Sequence, residues 1–241
     1  AFPDLPARID RYLARHLPRL HAAGRPVIVR GGEAVKSDRA GVDELVALMA
    51  EARIDRHSYV LVIGGGAVLD AVGFAASIVH RGVRVIRMPT TVLAQNDAGV
   101  GVKTAINHPA GKNFLGTFAP PWAVVNDSAF LASLPDAEWR AGIAEAFKVA
   151  LIKDAAFFDW LCDAAPRLAL RDGDAMETLV ERCADLHLLH IRTSGDPFEM
   201  GRARPLDYGH WSAHQLETMT EYRVGHGQAV AIGITLDALY A

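Results

Sequence analysis

Three histidines and a distant carboxylate are the residues through which this sequence could do chemistry. Residues 202 to 229 read RARPLDYGHWSAHQLETMTEYRVGHGQA and hold His210, His214 and His226 within a few turns of chain, with Glu145 upstream in AGIAEAFKVA. A helix over residues 208 to 220 would put His210 and His214 four apart on one face, where two imidazoles can converge on one cation or substrate. That spacing equally suits a polar helix surface, so the pair alone leaves both readings open.

Two further stretches carry candidate groups. SYVLVIGGG runs a branched strand into Gly64, Gly65 and Gly66, and AVLDAVGFAASIV then reads as a helix. A strand-to-helix turn of this kind offers backbone amides and a helix dipole to a phosphate. The strict dinucleotide fingerprint asks for glycine where Leu69 stands, and such a turn also forms without a ligand. Asp70, one turn into the helix, is either a polar contact for a cofactor or a solvated acid. PTTVLAQNDAGVGVKTAINHPAGKNFLG, from Pro89 to Gly116, reads as a long apolar loop carrying Asp97, Lys103, His108, Lys112 and Asn113. Loops of that length are functional or disordered. Its cations and amide donors suit a phosphate or polyol.

These groups need a scaffold. Leu5, Ile9, Leu13, Leu17 and Leu20 predict an amphipathic helix over residues 3 to 20, and Pro26 to Arg30 (PVIVR) predicts a buried strand. SYVLVIGGG, VRVIRMPTT and WAVVND (122 to 127) add three more strands, with helices between them, so the expectation is a parallel sheet with helical cover. After Asp127 only helical periodicity is found. The division expected is an α/β domain over residues 1–127, lacking its first strand, and an all-helical domain over 128–241, truncated at its end, with the site in the cleft between them.

Composition narrows the partners. With 241 residues, about half hydrophobic, the chain can bury a substantial core, and its net charge of −3 argues against broad capture of nucleic acid or anionic membrane. No apolar run reaches the ~18 residues of a membrane span. Cys162 and Cys183 make neither a disulfide framework nor a thiolate cluster, which fits a cytoplasmic setting. The start without methionine and the still-helical last segment AVAIGITLDALYA predict an excerpt of a longer protein.

IGGGAVLDAVGF, RGVRVIRMPTTVLAQNDAGVGVKT, INHPAGKN, AGIAEAFK, DYGHWSAH and HGQAVAIG together resemble, in order and at matching separation, the sugar phosphate cyclases, of which 3-dehydroquinate synthase is the best known. The resemblance covers roughly residues 30 to 235 and implies a Rossmann-like α/β domain followed by an all-α domain. It places Glu145, His210 and His226 on three metal ligands for zinc or cobalt, and moves His214 to the substrate phosphate. Gly64, Gly65, Gly66 and Asp70 fall on the NAD+ pyrophosphate and nicotinamide contacts, and Glu33, Lys36, Thr90 and Thr91 nearer the adenosine end. Asp97, Lys103, Lys112, Asn113 and Lys148 match substrate-contacting positions. Arg81 matches an arginine that reaches the neighbouring subunit's phosphate site, which implies a homodimer. The implied reaction uses NAD+ as a transient oxidant of a phosphorylated ketose, loses phosphate by elimination, and closes a carbocycle by an intramolecular aldol step.

The sequence departs from the dehydroquinate branch where that branch holds the substrate carboxylate. Leu189 and Ala203 stand at its lysine and arginine positions, with His187, His190, Arg202 and Arg204 nearby, and Asp207 replaces an asparagine. A carboxylate facing Asp207 would be repelled, so these changes imply a non-carboxylated substrate. Asp207 ahead of Tyr208 resembles the valiolone-synthase branch, which cyclises sedoheptulose 7-phosphate, although that branch usually lacks the histidine kept at His214. Alternatives are 3-dehydroquinate synthase proper, a metal-dependent polyol dehydrogenase, which would release NADH, and a non-catalytic binding module.

Overall fold

The computed structural model describes residues 2–16, 19–198, 200–201, 205–221 and 223–240. Helix α1 (Leu5–His16) is followed by α2 (Ala34–Ser37) and α3 (Arg39–Glu51). Strand β1 (Tyr59–Gly64), helix α4 (Gly66–Ile78) and strand β2 (Arg84–Pro89) then form a parallel crossover unit. β1 and β2 pair in register from Tyr59 opposite Arg84 to Gly64 opposite Pro89, and β2 pairs in parallel with the short β5 (Ala123–Val124). Among the described residues the sheet order is β1-β2-β5. The buried face of α4, with Val68, Leu69, Val72 and Phe74, packs with Val62 and Val85 of the strands and with Val83 just before β2 into one core. Burial of each such side chain is worth ~1.5–3 kcal/mol, which fixes how the glycine turn before α4 sits on the sheet.

The remainder is helical, as its periodicity predicts: α5 (Asp136–Lys153), α6 (Ala155–Ala169), α7 (Gly173–Thr193), α8 (His210–Met219) and α9 (His226–Tyr240). Phe157, Leu161, Leu168, Met176 and Leu179 centre its apolar core, which also takes in Val92 from the other part of the chain. Cys162 and Cys183 lie in α6 and α7 as free thiols.

Three sequence expectations are corrected. Pro26 to Arg30 form no strand, and Ile28 is 83% exposed. Branched residues favour a strand only where a neighbouring backbone takes their hydrogen bonds, and these residues have no such pairing. The first helix stops at His16 and leaves Leu20 outside it and exposed. Leu17 and Pro18 lie outside the described residues. The segment from Pro89 to Gly116 is not a loop. It holds a helical turn at Ala94–Ala98, with wider π-type bonding, and strand β3 (Lys103–His108), which pairs antiparallel with β4 (Gly111–Phe118). Alternation runs through the first part of β3: Thr104 and Ile106 are buried, while Lys103 is exposed and Ala105 and Asn107 are half-buried.

Candidate active site

Helices α5, α8 and α9 meet closely enough that side chains from all three share one space, and glycines permit it. Gly209, just before α8, has φ +73°, and a Cβ there would stand 2.7 Å from the Ile234 nitrogen of α9. Gly227, in the first turn of α9, would put a Cβ 2.4 Å from both the Cα and the carbonyl oxygen of Ala141 on α5. These close approaches place His210 at the first position of α8 and His226 at the first position of α9, next to Glu145 on α5. His210 Nε2 lies 3.9 Å from Glu145 Oε2, and the His210 and His226 ring centroids are 5.4 Å apart. His214 joins the group, 5.5 Å from His210 and 5.9 Å from His226 between ring centroids.

The protonation pattern suits cation binding. Burial, helped by the charge of Lys148, pushes His210 down to about 3, so its imidazole is neutral near pH 7. Its Nδ1 lies 3.2 Å from the Tyr208 carbonyl, to which Nδ1–H donates a hydrogen bond, leaving Nε2 with its lone pair toward Glu145. Glu145 is 1% exposed, and burial next to Asp97 raises it to about 7. Lys148, one turn along α5, forms an ion pair with Oε1, whereas Oε2 accepts no hydrogen bond. Two imidazoles and a buried carboxylate with an unsatisfied oxygen make a donor set that fits zinc or cobalt with open positions left over.

Around this set are charges that could meet an oxyanion. Lys112, from the β3–β4 hairpin, reaches Glu217 of α8 at 2.6 Å, and the other Glu217 oxygen lies 3.1 Å from His226 Nδ1. Asp97 stands on the turn Ala94–Ala98, with His187 Nδ1 of α7 3.2 Å from its Oδ1. Burial works against the Asp97 carboxylate, but His187, then Lys148, His210 and His226, hold it below the ordinary aspartate value. The turn itself is pinned from the core. Gln95 donates to the Pro89 and Asp127 carbonyls, Asn96 donates to that of Gly142, and the buried Arg87 donates to those of Gly99 and Gly101. Turns of this wide type recur at functional sites.

The glycine turn borders the same turn, since a Cβ on Gly66 would touch Ala98 at 3.5 Å and one on Gly65 would press Thr91 at 3.1 Å. Thr90 continues the strand pairing by donating to the Gly64 carbonyl, and the Thr91 hydroxyl accepts from Ala94 N–H. The first amides of α4 are therefore presented beside bare backbone. Lys36, buried on α2, holds Asp70 and Asn113 at 2.5 Å each. Burial nevertheless raises Asp70 above the ordinary aspartate value. Glu33 accepts from Asn107, which also accepts from the Asn113 N–H. Asn113 itself takes a left-handed φ of 54°.

Other expected residues lie further out. Arg81 is exposed on the turn after α4, ~20 Å along that helix from the glycines at 1.5 Å per residue. Lys103 is exposed on β3, Asp207 is exposed two residues before Gly209, and Leu189 is 45% exposed on α7. Arg202, Ala203 and Arg204 lie outside the described residues. Sequence reasoning missed Glu217 and Asn107 and gave His187 no place beside Asp97. Glu217 was within reach, because His210, His214 and Glu217 follow one helix face at steps of four and three.

A short parallel sheet with a glycine turn, joined to a helical part that converges histidines and a glutamate, defines the class of two-part α/β and helical proteins with a nucleotide-type turn facing a polar cluster. The chain matches the 3-dehydroquinate synthase N-terminal family over residues 26–141 and the 3-dehydroquinate synthase C-terminal family over residues 142–241. It belongs to the 3-dehydroquinate synthase family, within the sugar phosphate cyclase superfamily. It is 41% identical over 214 residues to the 3-dehydroquinate synthase of Halorhodospira halophila, covering 88% of this chain and 59% of that protein. Two solved structures are similar. One is ValA, the 2-epi-5-epi-valiolone synthase of Streptomyces hygroscopicus subsp. jinggangensis 5008 with NAD+ and Zn2+, at TM-score 0.88 and 33% identity, covering 98% of this chain and 64% of that one. The other is 2-deoxy-scyllo-inosose synthase with carbaglucose-6-phosphate, NAD+ and Co2+, at TM-score 0.78 and 28% identity, covering 95% and 61%. The chain spans between 53% and 62% of the length of the curated relatives it matches. No described helix is long and apolar enough to cross a membrane.

Proposed function

We propose that this chain carries the cofactor, metal and substrate sites of a sugar phosphate cyclase acting on a phosphorylated ketose without a carboxylate, such as sedoheptulose 7-phosphate. The observation that carries the reading is the convergence of Glu145, His210 and His226, with a buried Glu145 oxygen that accepts no hydrogen bond. These three would hold zinc or cobalt. Residues 1–127 would present NAD+ at the amides of Gly64, Gly65 and Gly66, with Asp70, Glu33, Lys36, Thr90 and Thr91 around it, while residues 128–241 supply the cation site. When bound, NAD+ supplies a transient hydride acceptor and the divalent cation an acidifying charge for neighbouring hydroxyls.

The protein's own groups then orient and neutralise. Lys112, Lys103, Asn113 and His214 would hold the phosphate. Lys148 and Asp97, buried against each other's charge, are suited to hold and move a proton at the ring hydroxyls. Asp207 disfavours a carboxylated substrate, and Leu189 offers no cation to bind one. Arg81, exposed at the far end of α4, would serve the phosphate site of a second copy in a homodimer.

The test is to incubate the full-length protein with NAD+, Zn2+ or Co2+, and either sedoheptulose 7-phosphate or the seven-carbon acid phosphate of the shikimate route. Phosphate release from the former supports the reading. Release only from the acid makes the protein a 3-dehydroquinate synthase, and steady accumulation of NADH with simple polyols makes it a dehydrogenase.

A further inference from the structure

We infer that Glu217 is a positioning residue that holds one metal-binding histidine and one phosphate-facing lysine at the same time. The inference rests on the reading of Glu145, His210 and His226 as the cation ligands. Glu217 is 3% exposed on α8, yet neither of its carboxylate oxygens is left without a partner. Oε2 lies 3.1 Å from His226 Nδ1, and Oε1 takes the Lys112 ammonium at 2.6 Å. A carboxylate accepts only, so the proton in the first contact sits on His226 Nδ1, and the His226 Nε2 lone pair is left for a cation. The second contact ties the β3–β4 hairpin to α8 across 105 residues of sequence. One buried carboxylate therefore sets the tautomer and ring orientation of His226 and the reach of Lys112.

Glu217 could instead be a ligand, because an oxygen of Glu217 and nitrogens of His214 and His226 lie within 4.8 Å of one another. Both Glu217 oxygens are already taken, Oε1 by the Lys112 ammonium and Oε2 by His226 Nδ1, whereas Glu145, which also meets a lysine, keeps its Oε2 without a hydrogen bond. Every neighbour found for Glu217 is thus explained by orientation, and a cation there has to displace one of them.

Glu217→Gln keeps an acceptor for His226 and removes the charge that holds Lys112. Glu217→Leu removes both. Zn2+ affinity measured by chelator competition on the full-length protein is expected to fall about 10-fold in Glu217→Gln and nearer 100-fold in Glu217→Leu, the range found for partners of metal-bound histidines. The Co2+ ligand-field spectrum is expected to keep its band positions in Glu217→Gln, because no ligand is lost. The 15N shifts of His226 in the metal-free protein are expected to show the Nδ1–H form in wild type and a tautomer mixture in Glu217→Leu. Three results overturn the inference. One is affinity within twofold of wild type in both variants. Another is loss in Glu217→Gln as complete as in His226→Ala with a changed Co2+ spectrum, which makes Glu217 a ligand. The third is an unchanged His226 tautomer in Glu217→Leu. If instead Glu145→Gln and His210→Ala leave affinity intact, the ligand assignment itself fails, independently of Glu217.

Discussion

Replacing Gly227 with alanine tests whether glycine contacts set the site. A Cβ at this position would lie 2.4 Å from Ala141 Cα and from Ala141 O, both backbone atoms of α5 that no rotamer change can move. Ordinary carbon contacts are ~3.5–4.0 Å, so α9 would have to back away from α5 by ~1 Å at this point. His226 is the adjacent residue, and Glu145 sits one turn beyond Ala141. Metal–ligand distances tolerate only ~0.2 Å, so a ~1 Å separation of the two helices is several times what a three-ligand site can absorb. Stability should respond far less. Alanine is favoured over glycine inside a helix by ~1 kcal/mol, which offsets part of an overpacking cost of ~1–3 kcal/mol. Without that offset the shift in melting temperature would be ~2–12 °C for a chain this long.

The expected outcome is therefore a separation of the two properties, with folding retained by circular dichroism and Zn2+ or Co2+ binding weakened by at least ~100-fold. Metal content after dialysis and chelator competition read the binding, and thermal melts of the metal-free protein read the fold. Metal affinity within threefold of wild type, with the protein folded, would refute the claim that the α5–α9 approach fixes the ligands. Equal loss of both properties would show that Gly227 matters to the fold rather than to the site.

Lys36→Met removes the ammonium that holds Asp70 and Asn113 and leaves a half-buried carboxylate without that partner, so urea unfolding should show a loss of ~1–3 kcal/mol, and NAD+ affinity by calorimetry should fall with it. For Glu217, burial alone would raise the pKa, but the His226 and Lys112 hydrogen bonds outweigh it and lower it to about 2 from 4.5. Between those values the unfolded chain binds more protons, so stability is full above pH 4.5 and is lost as the pH falls toward 2. Acid melts of wild type against Glu217→Gln should show a shallower pH slope in the variant over that window. Gly66→Val puts a branched side chain against Ala98 at the first turn of α4, so NAD+ binding should weaken at least ~10-fold while metal affinity stays unchanged, which calorimetry with each ligand separates.

The sequence makes some layers of this protein legible and hides others for physical reasons. Helices α6 and α7 could be read from periodicity because each buries one apolar stripe, and β1, α4 and β2 because branched runs flank an apolar helix that covers one face of the strands, although Tyr59 and Leu61 on the other face of β1 stay exposed. PVIVR misled because strand propensity says nothing about whether a partner backbone lies alongside, and Ile28 ends up in the open. The hairpin of β3 and β4 was hidden by its glycines and by the break in register between Ile106 and His108. At the site, the types and order of Glu145, His210 and His226 were visible. Their convergence was not, because it depends on Gly209 and Gly227 meeting backbone across helices. Glu217 escaped because a carboxylate on a helix reads as solvated until its two partners, nine and 105 residues away in sequence, are seen around it.

The cost of this cluster is itself an argument about its purpose. Glu145, Lys148 and Glu217 are each exposed by no more than 3%, beside helices whose core is otherwise apolar. Taking such ions out of water costs several kcal/mol each, and well-packed apolar residues of similar size would serve stability at least as well. Glu217 recovers its cost through two partners, and its depressed pKa records that compensation. Glu145 does not. Even with Lys148 against one oxygen it sits at about 7, so the pair leaves its carboxylate under-compensated at neutral pH. A group held in that condition by burial and a like-charged Asp97 is poised for a further positive charge. The neutral imidazole of His210 faces the same space and adds a lone pair without adding charge, and the His226 ring lies beside it. A divalent cation there would satisfy the orphaned oxygen and turn an unfavourable burial into a binding site, whereas a purely structural role would leave that deficit unrelieved.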